Sequence, residues 1–132
     1  IIHKPKQILD DVQIKLNLFK KINYDTQKYT DTLIAKILLL NKSISINELE
    51  IFLKWIDELY KSNLKSKVYP PKELKLVLKR IKRTLLFSLF FKKTEIGIDK
   101  SWRIKALLKL PLDDFLYVSK LKFRELVKIW LK

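Results

Sequence analysis

The chain has 132 residues, 48% of them hydrophobic, enough to bury one core without covalent staples and too many for a disordered chain. A single glycine leaves few of the tight turns an all-β fold needs, and the absence of cysteine removes disulfides, thiolate zinc sites and thiol nucleophiles together. His3 is the only histidine, so imidazole metal sites and Ser-His-Asp arrangements go as well, and no catalytic residue, metal or cofactor is expected; a formal charge of +15 points to a polyanionic partner.

In chain order, the apolar spacing is helical nearly throughout, which predicts an all-α fold: one compact domain, 1–132, of six or seven helices. Pro5 suits a first helical turn, and Ile8, Val12, Leu16 and Phe19 form one stripe behind it. Asn23, Tyr24 and Asp25 read as a turn, and a second helix starts near Thr30 or Asp31 and runs through Leu40. Ser45 and Glu48 have capping-box spacing ahead of a helix that carries Leu49, Phe52, Leu53, Ile56, Leu59 and Tyr60. A lysine-rich break is expected over 62–71, closed by Pro70 and Pro71, with Pro71 opening the longest helix, to about Lys93. Gly97 marks a turn, Asp99 or Ser101 caps a helix through Lys109, and Pro111 ends it. Two short helices then follow, over 112–118 and from Ser119 to the end.

The first residue is Ile1, which reads as a chain trimmed or lacking its first residues. The longest apolar runs, 33–40 and 85–91, fall far short of the roughly 20 residues that span a bilayer. A soluble, cytoplasmic protein without a membrane partner is therefore expected.

The charge is uneven. Residues 1–60 net +1, residues 61–109 net +12 and the last 23 net +2. A solubility device would spread its lysines, so this concentration predicts a partner surface. On the helix that Pro71 opens, Leu74, Val77, Leu78, Ile81 and Leu85 fall on one side, and Lys72, Lys75, Lys79, Lys82 and Arg83 on the other, with Arg80 at the edge. Beyond Thr84, Leu85, Leu86, Phe87, Leu89, Phe90 and Phe91 surround the axis, and burial of that half is expected. The cationic half suits nucleic-acid phosphates, against the plainer reading of a solvated lysine face.

Trp102, Arg103 and Lys105 at the start of the next helix form a second candidate, an indole able to stack on a base beside cations and amides that hold phosphate. The plainer alternative packs Trp102 on the core and pairs Arg103 with an acid. Trp55 and Trp130 read as core, and Tyr69 takes the plain structural reading, with an exposed platform before the two prolines as its lesser alternative. Asp10-Asp11 and Asp113-Asp114 are helix neighbours about 100° apart, so neither doublet clamps a metal, and the second reads as first-turn acids.

Two stretches carry a family resemblance. Tyr69-Pro70-Pro71 before an amphipathic helix resembles the Pro-Pro-Cys entry into the carboxy-terminal helical domain of large primase subunits, with Lys72 where that family places an iron–sulfur ligand. The stretch from Ile98 to Pro111 resembles the approach to the Leu-Pro-Gly-Ser-Leu-His motif of small primase subunits, although Leu112-Asp113-Asp114 replaces its phosphate-binding part. Together with the basic, cysteine-free composition, the chain resembles the PriX family of small non-catalytic third subunits of the replicative primase in Sulfolobus-type archaea. The resemblance implies an accessory subunit in DNA replication and primer synthesis. It would hold the initiating nucleotide triphosphate and single-stranded nucleic acid, and bind the catalytic and large primase subunits.

The near-neutral first 60 residues, or the last helix with Phe123, Leu126, Val127, Trp130 and Leu131, are the candidate docking faces for those subunits. A helix-turn-helix protein entered at Ser43–Glu48 is the alternative, weakened by Glu48, Glu50, Asp57 and Glu58 on the following helix. A membrane-surface module would need an exposed apolar strip beside the lysines, and the apolar residues are expected in the core. A purely protein-binding subunit is the last alternative.

Overall fold

The computed structural model describes residues 5–40, 43–92 and 98–131, with side-chain environments from Asp10 onward. The turn expected at Gly97, the helix end at Lys93 and the packing of Ile8 lie outside the described residues. Those residues form six helices: α1 Pro5–Lys20, α2 Asp31–Leu39, α3 Ile46–Ser66, α4 Pro71–Phe91, α5 Lys100–Lys109 and α6 Leu112–Trp130. The fold is all-α. Among the described residues, no helix is long and apolar enough to cross a membrane.

The helix starts follow local chemistry. Thr30 and Asp99 cap α2 and α5 by accepting from the amides of Leu33 and Trp102. Ser45 and Glu48 form the reciprocal capping box, Glu48 N–H donating to Ser45 Oγ (3.0 Å) and Ser45 N–H to Glu48 Oε1 (2.9 Å). Pro71 opens α4 where its missing N–H leaves no helical bond unmade.

Helix α3 is the hub, packed against α2, α4 and α5; α1 lies on α2, and α6 rests on α4 and α5. Its burial stripe of Leu49, Phe52, Leu53, Trp55, Ile56 and Leu59 makes the centre of the core, and Trp55, fully buried, takes the edges of Phe19 and Tyr24. Each such large apolar side chain contributes about 1.5–3 kcal/mol on burial. Val12, Leu16 and Phe19 are buried, as the stripe on α1 predicts.

Several expectations are corrected. α3 continues through Ser66, so the break before Pro71 is short: nothing from Ser62 to Ser66 opposes a helix, and Asn63 is used inside it. Asn63 is fully buried and closes the turn by donating from Nδ2 to the Tyr69 carbonyl (2.8 Å) and accepting at Oδ1 from the Tyr69 amide (2.9 Å). Tyr69 keeps its plain structural reading, half-buried with its hydroxyl donating to the Leu18 carbonyl (2.7 Å). α4 is matched in length by α3, at 21 residues each. Val77 and Phe87 are exposed, because α4 buries a narrower stripe than its composition suggests. The two short helices expected after Pro111 are one, α6, since no glycine or proline interrupts 112–130. Trp130 is 89% exposed and belongs to no core. From Lys122 to Leu131 every residue is exposed, and Phe123, Leu126, Ile129 and Leu131 supply the exposed apolar surface that composition assigns to the interior.

Candidate functional site

The cationic side of α4 does not face open solvent alone. It forms one wall of a cleft of about 730 Å3, with α3 and α6 as the others. Lys75, Lys79, Lys82 and Arg83 come from α4, Lys120 and Arg124 from α6. Asp57, Asp113 and Asp114 are the acids, and Tyr60 and Tyr117 contribute rings. Six cations against three acids leave the cleft electropositive, and its partly enclosed walls concentrate that field.

The cations are not equivalent. Lys82 Nζ lies 3.2 Å from Asp114 Oδ1, and Asp114 is only 4% exposed, so this pair ties α4 to α6 and Lys82 is already neutralised. Arg83 is half-buried with its guanidinium 4.5 Å from the centre of the Tyr117 ring, and Lys75 Nζ sits 5.9 Å from that of Tyr60. Lys79, Lys120 and Arg124 are exposed or half-exposed and have no carboxylate partner among the described residues. Those three, with the two ring-supported cations, are available to an anion.

Lys72 and Arg80 are exposed on α4 but do not line the cleft. Lys120, Arg124, Tyr60 and Tyr117 are the lining residues that sequence reasoning missed. Each looks ordinary on its own helix, and only packing brings them to α4.

The second candidate is built differently. Trp102 is half-buried, near Phe90, with Nε1 donating to the Ile44 carbonyl (3.1 Å). Arg103 pairs with no acid among the described residues: its Nε and Nη2 donate to the carbonyls of Leu89 (2.8 Å) and Lys92 (2.6 Å), satisfying the last turn of α4. Lys105 is exposed on the rim of a shallower cleft that also takes in Lys36, Glu48 and Asp99. Its two helix starts, of α3 and α5, are filled by their own caps. Lys36 donates to Glu48 Oε2 (2.8 Å), and this lysine, with the Ser45 amide, holds the Glu48 carboxyl below its ordinary range. Two lysines and two acids make this cleft electrically balanced. The two clefts share no lining residue, so the α4 cations and the Trp102 group do not converge.

The larger cleft is suited to binding phosphates by charge and hydrogen bonds, with tyrosine rings at hand. Comparison of the chain with protein-family models, with curated proteins and with solved structures finds no match.

Proposed function

We propose that this chain is a non-catalytic subunit that holds the phosphates of single-stranded nucleic acid, or of an initiating nucleotide triphosphate, in the cleft between α3, α4 and α6. The accessory role in primer initiation that the primase resemblance implies is the specific form of this reading, with the catalytic and large primase subunits as partners. The observation that carries it is the convergence of six cations from two helices on one electropositive cleft, with Lys79, Lys120 and Arg124 unneutralised among the described residues. Phosphate oxygens would relieve the repulsion among those charges and release counterions.

A helix-turn-helix reading draws less support. α3, the helix it would send into a groove, is the hub of the core and is packed against three other helices.

The test is fluorescence anisotropy with one short labelled oligonucleotide bearing either a 5′-triphosphate or a 5′-hydroxyl. Binding should weaken with salt, and the triphosphate form should bind tighter. Replacing Lys79, Lys120 and Arg124 together by alanine should reduce affinity at least tenfold and lower the salt slope by about 2, at roughly 0.7 for each phosphate no longer neutralised. Equal binding of the two oligonucleotides removes the initiation role, and parent-like binding by the triple variant removes the cleft.

A further inference from the structure

α6 carries apolar residues on two sides, the inner one confined to its first ten residues. One side packs inward, through Val118 and the half-buried Phe115 and Leu121. The other consists of Leu112, Leu116, Ser119, Phe123, Leu126 and Trp130, separated by steps of four, three, four, three and four residues. At 100° per residue these six fall within about 80° of arc, a straight stripe roughly 27 Å long. All except the half-buried Ser119 are exposed, Phe123 at 68% and Trp130 at 89%.

Steps of three and four are the spacing at which one helix seats its side chains between those of another. An exposed stripe of that size, set among charges, marks an interaction surface and not a stretch of ordinary surface. The cations beside it are Lys120 and Lys122, the latter 3.7 Å from Glu125 on its own helix, with Arg124 one turn beyond Lys120 and Asp113 at the amino-terminal end. A second copy would bring two bodies of +15 together along this edge. A lipid surface would take a face that is broad along its whole length, whereas this one is a single residue wide between Leu112 and Phe123 and broadens only beyond it, where Val127, Ile129 and Leu131 are also exposed.

We propose that the outer face of α6, from Leu112 to Trp130, docks an acidic amphipathic helix of another protein. The inference does not require that the cleft bind an anion, although Leu116, Lys120 and Arg124 belong to both surfaces. Its occupant is defined by chemistry: apolar residues at three- and four-residue steps, flanked by glutamate or aspartate that meets Lys120 and Arg124, which have no carboxylate partner among the described residues.

The experiment uses the 132-residue chain and three labelled 21-residue peptides followed by anisotropy. One has leucines at those steps flanked by glutamate, one has lysine in place of glutamate, and one is a scramble of the first. The glutamate peptide should bind at least about tenfold tighter than the other two. Phe123→Ser with Leu126→Ser, both at exposed positions, should weaken it at least about tenfold while circular dichroism and oligonucleotide binding stay unchanged. Equal binding of the scramble would overturn the proposal by showing charge attraction alone, and equal binding of the lysine peptide would overturn the complementarity. A dimer in sedimentation equilibrium that the double variant dissolves would overturn it by assigning the face to a second copy. A blue shift of Trp emission on phosphatidylglycerol vesicles, lost in the double variant, with no peptide binding, would overturn it by assigning the face to lipid.

Discussion

Three side chains hold positions out of proportion to their size. Asn63 bonds both polar atoms of its amide to the Tyr69 backbone inside a fully buried site, so Asn63→Ala leaves a buried amide and carbonyl unsatisfied. The expected cost is about 2–3 kcal/mol in urea unfolding, with the helical signal of the folded state retained. Lys82 neutralises Asp114, so Lys82→Met strands a buried carboxylate and should cost about 3 kcal/mol, whereas the exposed Lys79→Met should be near neutral. For this reason Lys82 is unsuitable in a charge-removal variant of the cleft. Glu48 gives a pH signature. Its folded carboxyl titrates below the ordinary 4.5, so its contribution is complete above that value and is lost as pH falls through the folded one. The stability gap between the parent and Glu48→Gln should therefore be constant near neutrality and shrink below about pH 4.5. Of these roles only that of Glu48 was legible from the sequence, because a capping box is a local pattern, whereas Lys82 stood out as a surface cation and not as the partner of Asp114. Asn63 sits among serine and lysines that look like a loop, and its partner becomes visible only once the turn to Tyr69 is formed.

The elements were the most legible level. Starts at Thr30, Ser45, Pro71 and Asp99 follow from side chains that satisfy free amides or from proline's missing one. The end of α3 was harder: its C-cap is Lys67, in the left-handed region with no glycine to announce it, whereas α2 stops at its Leu40 cap as its apolar run predicts. Lys67 (φ 55°) is exposed and bears a Cβ where glycine is favoured, so Lys67→Gly should raise stability by about 0.5 kcal/mol in thermal unfolding. The division expected at Ser119 fails because a serine that can cap can also sit in mid-helix when nothing on either side stops the turn. Trp130 misleads for a related reason. Its spacing within α6 is that of a core residue, and spacing alone does not say whether the neighbour that buries it belongs to this chain.

Across the whole molecule, the +12 over 61–109 located α4 as one wall of the candidate site, but not the other walls. Tyr60 and Arg124 are far apart in sequence and meet only because α6 returns over α4. Composition also predicts a global response. With +15 on 132 residues the folded state repels itself, and screening should raise the melting temperature by about 2–5 °C between 20 and 300 mM NaCl. Flat or falling stability over that range would show that the cations are already compensated. One further consequence follows from the placement of α6, where Leu116 lines the cleft and also lies on the outer stripe, and Lys120 lines the one and borders the other. Two ligands meeting at the same pair of residues are thermodynamically coupled. Whatever factor the helical partner imposes on phosphate affinity, phosphate must impose on the partner. If the two proposed ligands, both anionic, draw on Lys120, that coupling is antagonistic: docking the partner would promote release of the nucleic acid.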